Sequence, residues 1–195
     1  YYEELEKLYG KAKYYSMDPF HEGGNTEGVD LAKAGTSIMG AMKKANPEAV
    51  WVMQAWQANP REAMVGTLDS GDLLVLDLYS EKLPQWGDPE SMWYREKGFG
   101  KHDWLYCMLL NFGGNVGLHG RMEQLVNGYY NACAHVNGKT LRGVGATPEG
   151  IENNPVMFEL LYELPWREER FSPDEWLQAC SGSSPWTCQV YQSDV

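Results

Sequence analysis

Two glutamates sit where acid–base chemistry could be done. Glu22 lies in "SMDPFHEGG" (16–24) and Glu149 in "TPEG" (147–150). Each follows an apolar stretch of strand length. Hydrolysis of a glycosidic bond calls for such a pair. One carboxylic acid protonates the leaving oxygen, and the other carboxylate attacks the anomeric carbon or activates water. The acid must hold its proton near working pH, which apolar surroundings favour. Phe20, Tyr14 and Tyr15 are neighbours of Glu22 that could supply them. Glu149 stands between Pro148 and Gly150, in a turn whose backbone donors could keep it ionised.

Further polar residues follow the same pattern. Asp18 and His21 follow the run at 12–17, Gln54 and Trp56 that at 49–53, and Asp77 and Tyr79 that at 72–76. Asn111 and "FGGN" follow 104–110. Each has a plainer reading. Asp77 and Asn111 could orient backbone turns, Cys107 could be a small core residue, and His21 could be a hydrogen-bond partner within its loop. Asp18 before Pro19 is a ready turn former. The glycines of "NFGGNVG" match neither GxGxxG nor a P-loop, so they are read as tight turns or close backbone approach.

The elements that must position these groups alternate. Strands are expected at 12–18, 49–56, 72–79, 104–112 and, weakly, 139–146. Helices are expected at 26–46 with Thr26 or Asn25 as cap, briefly after Pro60, at 117–127, and at 154–164 with Asn154 as cap and Pro155 in the first turn. Strands apolar on both faces and separated by helices indicate parallel βαβ units. A closed barrel takes about 250 residues, and five strands fall short of eight. The expected fold class is α/β, an open doubly wound sheet or an incomplete barrel. In either, ligands bind outside the carboxyl ends of the strands. Five such ends would gather carboxylates, amides and aromatics around one mouth, which suits a carbohydrate better than a nucleotide.

Composition narrows the partners. A net charge of −11 and a pI of about 4.8, with no basic run, argue against a nucleic acid. No window reaches the roughly 18 apolar residues of a membrane span. Eight Trp and twelve Tyr fit both core packing and sugar stacking. The four cysteines and four histidines form no zinc-type grouping, so no metal or cofactor is expected. A Cys180–Cys188 disulfide rests on spacing alone.

The blocks "YYSMDPFHEGG", "AVWVMQAW", "LLVLDLYSE", "WLYCMLLNFGGNVGLHG" and "GVGATPEGIENNPVMFELLYELPW" occur in that order. They closely resemble the alpha-N-acetylglucosaminidases of glycoside hydrolase family 89, over roughly 1–178. The resemblance implies a retaining hydrolase of terminal alpha-linked N-acetylglucosamine, with Glu22 as acid/base and Glu149 as nucleophile. It implies that Trp56, Cys107 and Asn111 line the sugar pocket; Asp77, Tyr79 and His21, from their places beyond the strands, are expected to complete the substrate-binding set. The expected architecture is the carboxyl-terminal part of a (β/α)8 barrel over 1–165. The start of a helical domain follows at 166–178, then an atypical tail at 179–195 without helix periodicity. The chain itself does not reveal its compartment; the resemblance implies a secreted, periplasmic or lysosomal setting. The alternatives are a sugar-binding remnant without turnover and a hexosaminidase of different linkage specificity.

Overall fold

The computed structural model describes residues 1–183. Its centre is one parallel sheet of five strands: β1 (Tyr14–Ser16), β2 (Val50–Ala55), β3 (Leu73–Asp77), β4 (Asp103–Leu110) and β5 (Leu141–Pro148). Each strand pairs with its sequence neighbours, in spatial order β1-β2-β3-β4-β5. Six helices accompany them: α1 (Tyr2–Tyr9), α2 (Leu31–Ala45), α3 (Glu62–Val65), α4 (Met122–Ala134), α5 (Pro155–Glu163) and α6 (Pro173–Ser183).

The core lies between the sheet and its helices. Trp51 and Met53 of β2, Leu73 and Val75 of β3, and Trp104, Tyr106 and Met108 of β4 all point to that side. Met39 and Met42 of α2, Leu125 of α4 and Leu160 of α5 meet them there. Complete burial of each such side chain contributes about 1.5–3 kcal/mol.

The sequence led us to expect strands buried on both faces; β4 meets this from Tyr106 to Leu110, whereas burial in β2 and β3 alternates. In β2 and β3 every second residue, Val52, Gln54, Leu74 and Leu76, is only half-buried. Among the described residues no helix packs on this second face. In a closed barrel it would be the interior, which fits the apolar identity of Val52, Leu74 and Leu76, with the polar Gln54 next to the carboxyl end of β2.

The five expected strands are all present, with shifted ends. β4 stops at Leu110 because Asn111 turns left-handed, at φ 57°. Helix α4 starts at Met122 rather than near 117. Positive φ values at Gly113, Gly114 and Gly117 make the preceding stretch a loop. Helix α2 starts at Leu31, capped by Asp30, whose Oδ1 accepts the Lys33 N–H at 3.0 Å; neither Thr26 nor Asn25 is the cap. Asn154 caps α5 as expected, accepting from Val156 N at 3.2 Å. Helix α1 was not expected from the sequence; it has no fully buried residue, and its Tyr2 packs against the core partly buried. Helix α6 runs through Ser183, so part of the tail is helical against expectation. The Cys180–Cys188 pairing lies outside the described residues. No helix among them is long and apolar enough to cross a membrane, and no metal-ligating cluster occurs among them.

Candidate active site

The carboxyl ends of the strands are tied together before any loop begins. Asp18 Oδ1 accepts the Gln54 N–H at 2.7 Å, joining the ends of β1 and β2. Burial pushes the Asp18 carboxyl up, while the Gln54 N–H draws it down. The Met17 carbonyl accepts from Trp51 Nε1 at 2.7 Å. At the far edge the Glu149 N–H donates to Leu110 O at 3.1 Å, extending the β4–β5 ladder to Glu149 itself.

Among the described residues four non-glycine residues adopt left-handed backbone: Phe20 at φ 59°, Glu22 at 47°, Gln57 at 53° and Asn111 at 57°. All four lie just beyond the ends of β1, β2 or β4. Such conformations are costly for residues with a Cβ, at about 1–3 kcal/mol each, and they gather at functional sites. Glu22 and Glu149 are both exposed, at the ends of the two outermost strands. In an eight-strand cylinder each strand takes about 45° of the circumference. The first and fifth of five consecutive strands then face each other across the mouth.

Between them the expected residues divide. Trp56 joins a row of edge-to-face rings: Trp93–Trp56 at 4.7 Å, Trp56–Phe112 at 5.9 Å and Phe112–Tyr79 at 5.4 Å. The Trp56 Nε1 and His21 Nε2 are buried with no protein partner, which leaves two ring nitrogens for a polar guest. Tyr79 is 2% exposed, and its hydroxyl accepts from Asn115 Nδ2 at 2.9 Å. Cys107 lies on the half-buried second face of the sheet, nearly inaccessible, and its Sγ donates to Leu105 O at 3.6 Å. Burial pushes its thiol up, so it is a neutral wall and not a nucleophile. Asn111 Nδ2 donates to Asn153 Oδ1 at 2.8 Å, bracing the loop behind Glu149.

Asp77 does not join this group. It alternates with Leu73 and Val75 and therefore points to the helix side, fully buried. Its Oδ2 accepts the Gln85 and Trp86 N–H groups at 2.9 and 3.1 Å. Burial pushes it up to about 7, against the pull of those donors and of Arg95. Asp77 shapes the loop after β3 and does not reach the mouth.

Glu81, Trp93, Phe112 and Asn115 were not singled out from the sequence. Glu81 is 5% exposed, and its Oε1 accepts the Leu109 N–H at 3.2 Å. Ser80 N donates to Cys107 O at 3.0 Å. Residues 80–81 thus stand in for a continuation of β3 where β4 overruns it. Glu81 Oε2 has no partner, and burial pushes the carboxyl up to about 8, with Asp77 adding to the rise. The sequence offered one clue, a charged residue four positions beyond a buried strand.

A parallel α/β sheet in barrel order defines part of an α/β barrel, the class in which ligand sites lie at the carboxyl ends of the strands. The particular family follows from comparison. Residues 1–168 match the family described as the alpha-N-acetylglucosaminidase (NAGLU) tim-barrel domain, and the chain belongs to it. Human alpha-N-acetylglucosaminidase is 37% identical over 177 residues, covering 85% of this chain and 23% of the human protein. A family 89 glycoside hydrolase from Clostridium perfringens, in complex with 2-acetamido-1,2-dideoxynojirmycin, superposes with a TM-score of 0.78 at 34% identity. The match covers 91% of this chain and 19% of that one. A form from the same organism with two Glu→Gln substitutions, in complex with its substrate GlcNAc-alpha-1,4-galactose, matches equally well at 33% identity. The chain therefore spans about a quarter or less of the length of these relatives.

Proposed function

We propose that this chain carries the catalytic glutamate pair of a retaining exo-glycosidase that removes terminal alpha-linked N-acetylglucosamine from glycans. The observation that carries the reading is that, among the described residues, every left-handed non-glycine residue clusters at the strand ends, with Glu22 among them and Glu149 just past the end of the opposite outermost strand. The unmatched Trp56 and His21 nitrogens suit sugar hydroxyls or an amide. Family membership supports the same chemistry, as does the relative's complex with an alpha-linked N-acetylglucosaminide.

In this mechanism Glu149 attacks the anomeric carbon as Glu22 passes its proton to the departing glycosidic oxygen. A glycosyl ester forms on Glu149 and the alcohol leaves. Glu22, now ionised, takes a proton from water. That water cleaves the ester and releases the sugar with its original anomeric configuration. Retention calls for the two carboxyl groups about 5–5.5 Å apart. The Cys107 thiol and Tyr79 ring would wall the pocket without reacting.

The test is turnover of an aryl alpha-N-acetylglucosaminide by the chain and its E22Q and E149A forms. Both substitutions should lower kcat by several orders of magnitude. Normal turnover by E149A would reject the nucleophile assignment. One observation favours a second reading, sugar binding without turnover: the second face of the sheet is half-exposed in this chain. Sugar affinity in a chain with no measurable hydrolysis would select it. A panel of alpha- and beta-linked hexosaminides separates both from a different linkage specificity.

A further inference from the structure

Strand β4 outruns its neighbour. Its pairing with β3 ends at Asp77 opposite Tyr106, while its pairing with β5 continues to Leu110 opposite Pro148. Residues 107–110 therefore have a strand on one side only. Their other edge still needs partners, because all four are buried. The chain just past β3 supplies them. The Ser80 N–H donates to Cys107 O, and Glu81 Oε1 accepts the Leu109 N–H at 3.2 Å. A side-chain oxygen thus fills the place of a strand carbonyl. Leu109 is 1% exposed, so without Glu81 its N–H would have no water to turn to.

The opposite edge of the same four residues carries Glu149. Its N–H donates to Leu110 O at 3.1 Å. The Thr147 hydroxyl, two residues earlier, lies 3.3 Å from Met108 O and 3.4 Å from Leu78 O. Thr147 therefore ties β5 both to β4 and to the segment after β3. Beyond Glu149, Asn153 Nδ2 donates to Gly150 O at 3.2 Å and closes the turn. The Glu149 side chain is exposed, so where its carboxylate stands depends on how this backbone is held.

We propose that Glu81 is a positioning residue for Glu149. Its Oε1 fixes Leu109, and through Leu109 the adjoining Leu110 carbonyl from which Glu149 hangs. The proposal rests on the reading of Glu149 as nucleophile. Leu109 N–H and Leu110 O lie on opposite edges of β4, one residue apart. A strand end released at the first is free to shift at the second. Attack needs the nucleophile about 3–3.5 Å from the reacting carbon, and a misplacement of about 1 Å can cost about a hundredfold in rate. Glu81 acts on the reaction only through two backbone hydrogen bonds, and does not touch the sugar.

The experiment measures kcat/KM of the chain on phenyl and on dinitrophenyl alpha-N-acetylglucosaminide. Dinitrophenolate leaves without an acid, so the second substrate reports nucleophilic attack alone. Glu81→Ala should lower kcat/KM about ten- to a hundredfold on both, and on the phenyl glycoside the loss should fall in kcat with KM within about twofold. Glu81→Gln keeps the acceptor and should stay within about threefold of the parent. Thr147→Val should give a smaller loss in the same direction. A loss confined to the phenyl glycoside would place the defect in proton donation. A raised KM at constant kcat would place it in binding. Either would overturn the proposal.

Amide hydrogen exchange gives a readout that needs no turnover. In Glu81→Ala the Glu149 N–H should exchange at least about tenfold faster relative to the Tyr106 and Val144 N–H groups of the same two strands, with Glu81→Gln like the parent. Thr147→Val carries the same comparison if Glu81→Ala does not fold. Unchanged exchange at Glu149, or equal acceleration across the sheet, would mean that Glu81 only stabilises the fold, and would overturn its positioning role. Absence of turnover by the unsubstituted chain would count against the glycosidase reading, and exchange at Glu149 would still decide whether Glu81 sets that backbone.

Discussion

Replacing Glu81 by glutamine should make the chain less sensitive to alkali. Glu81 is an acid pushed by burial from an ordinary value of 4.5 up to about 8. In the folded chain it holds its proton through neutral pH, and in the unfolded chain it loses it near its ordinary value. Between the two the folded state binds more protons, so stability falls as pH rises. The contribution is complete below about pH 4 and gone above about pH 8. Its steepest slope is about 1.4 kcal/mol per pH unit, so the whole interval is worth at most about 4–5 kcal/mol. Glutamine keeps a carbonyl oxygen for the Leu109 N–H, and its amide replaces the unpartnered Oε2. It cannot ionise, so the slope disappears. Asp77 is raised as well, to about 7, but it titrates in both proteins and largely cancels in the difference. The assay is urea unfolding followed by tryptophan fluorescence at pH 5, 6.5 and 8. The stability of E81Q relative to the parent should climb steadily across that series. Parallel pH dependence in the two proteins would show that Glu81 is not held protonated, and the account of its burial would be wrong.

Gly35→Ala should destabilise the chain by about 1–3 kcal/mol, measured by the same unfolding assay, because a methyl there meets the Met64 carbonyl where α2 crosses α3. Asp30→Ala should cost about 1 kcal/mol by removing the cap of α2, and Asp30→Asn should recover nearly all of it.

The sheet was legible because β2, β3 and β4 are continuous apolar runs bounded by polar residues, and the carboxyl-end rule followed from their parallel arrangement. Helix α5 was legible through Asn154 and Pro155. What sequence could not decide was the direction of side chains at strand ends. Asp77 and Tyr79 are two positions apart after the same run, yet Asp77 still obeys the strand's alternation and Tyr79 lies past its end, where the chain has turned. Trp93 was hidden for a different reason. It reaches the mouth only because Asp77, Arg95 and Asn137 fold a long loop back, and none of those contacts is local in sequence. The same holds for Glu81, whose importance depends on β4 being longer than β3.

The spatial order of the strands repeats their order along the chain. No pairing has to wait for a strand made later than its immediate successor. As the polypeptide emerges from the ribosome, each of β2 to β5 finds its template already laid down. Glu22 is thus synthesised with β1, and Glu149 arrives with β5. The proposed pair is assembled only when the β4–β5 ladder forms, so a chain stalled before β5 would have β1–β4 paired and would lack Glu149.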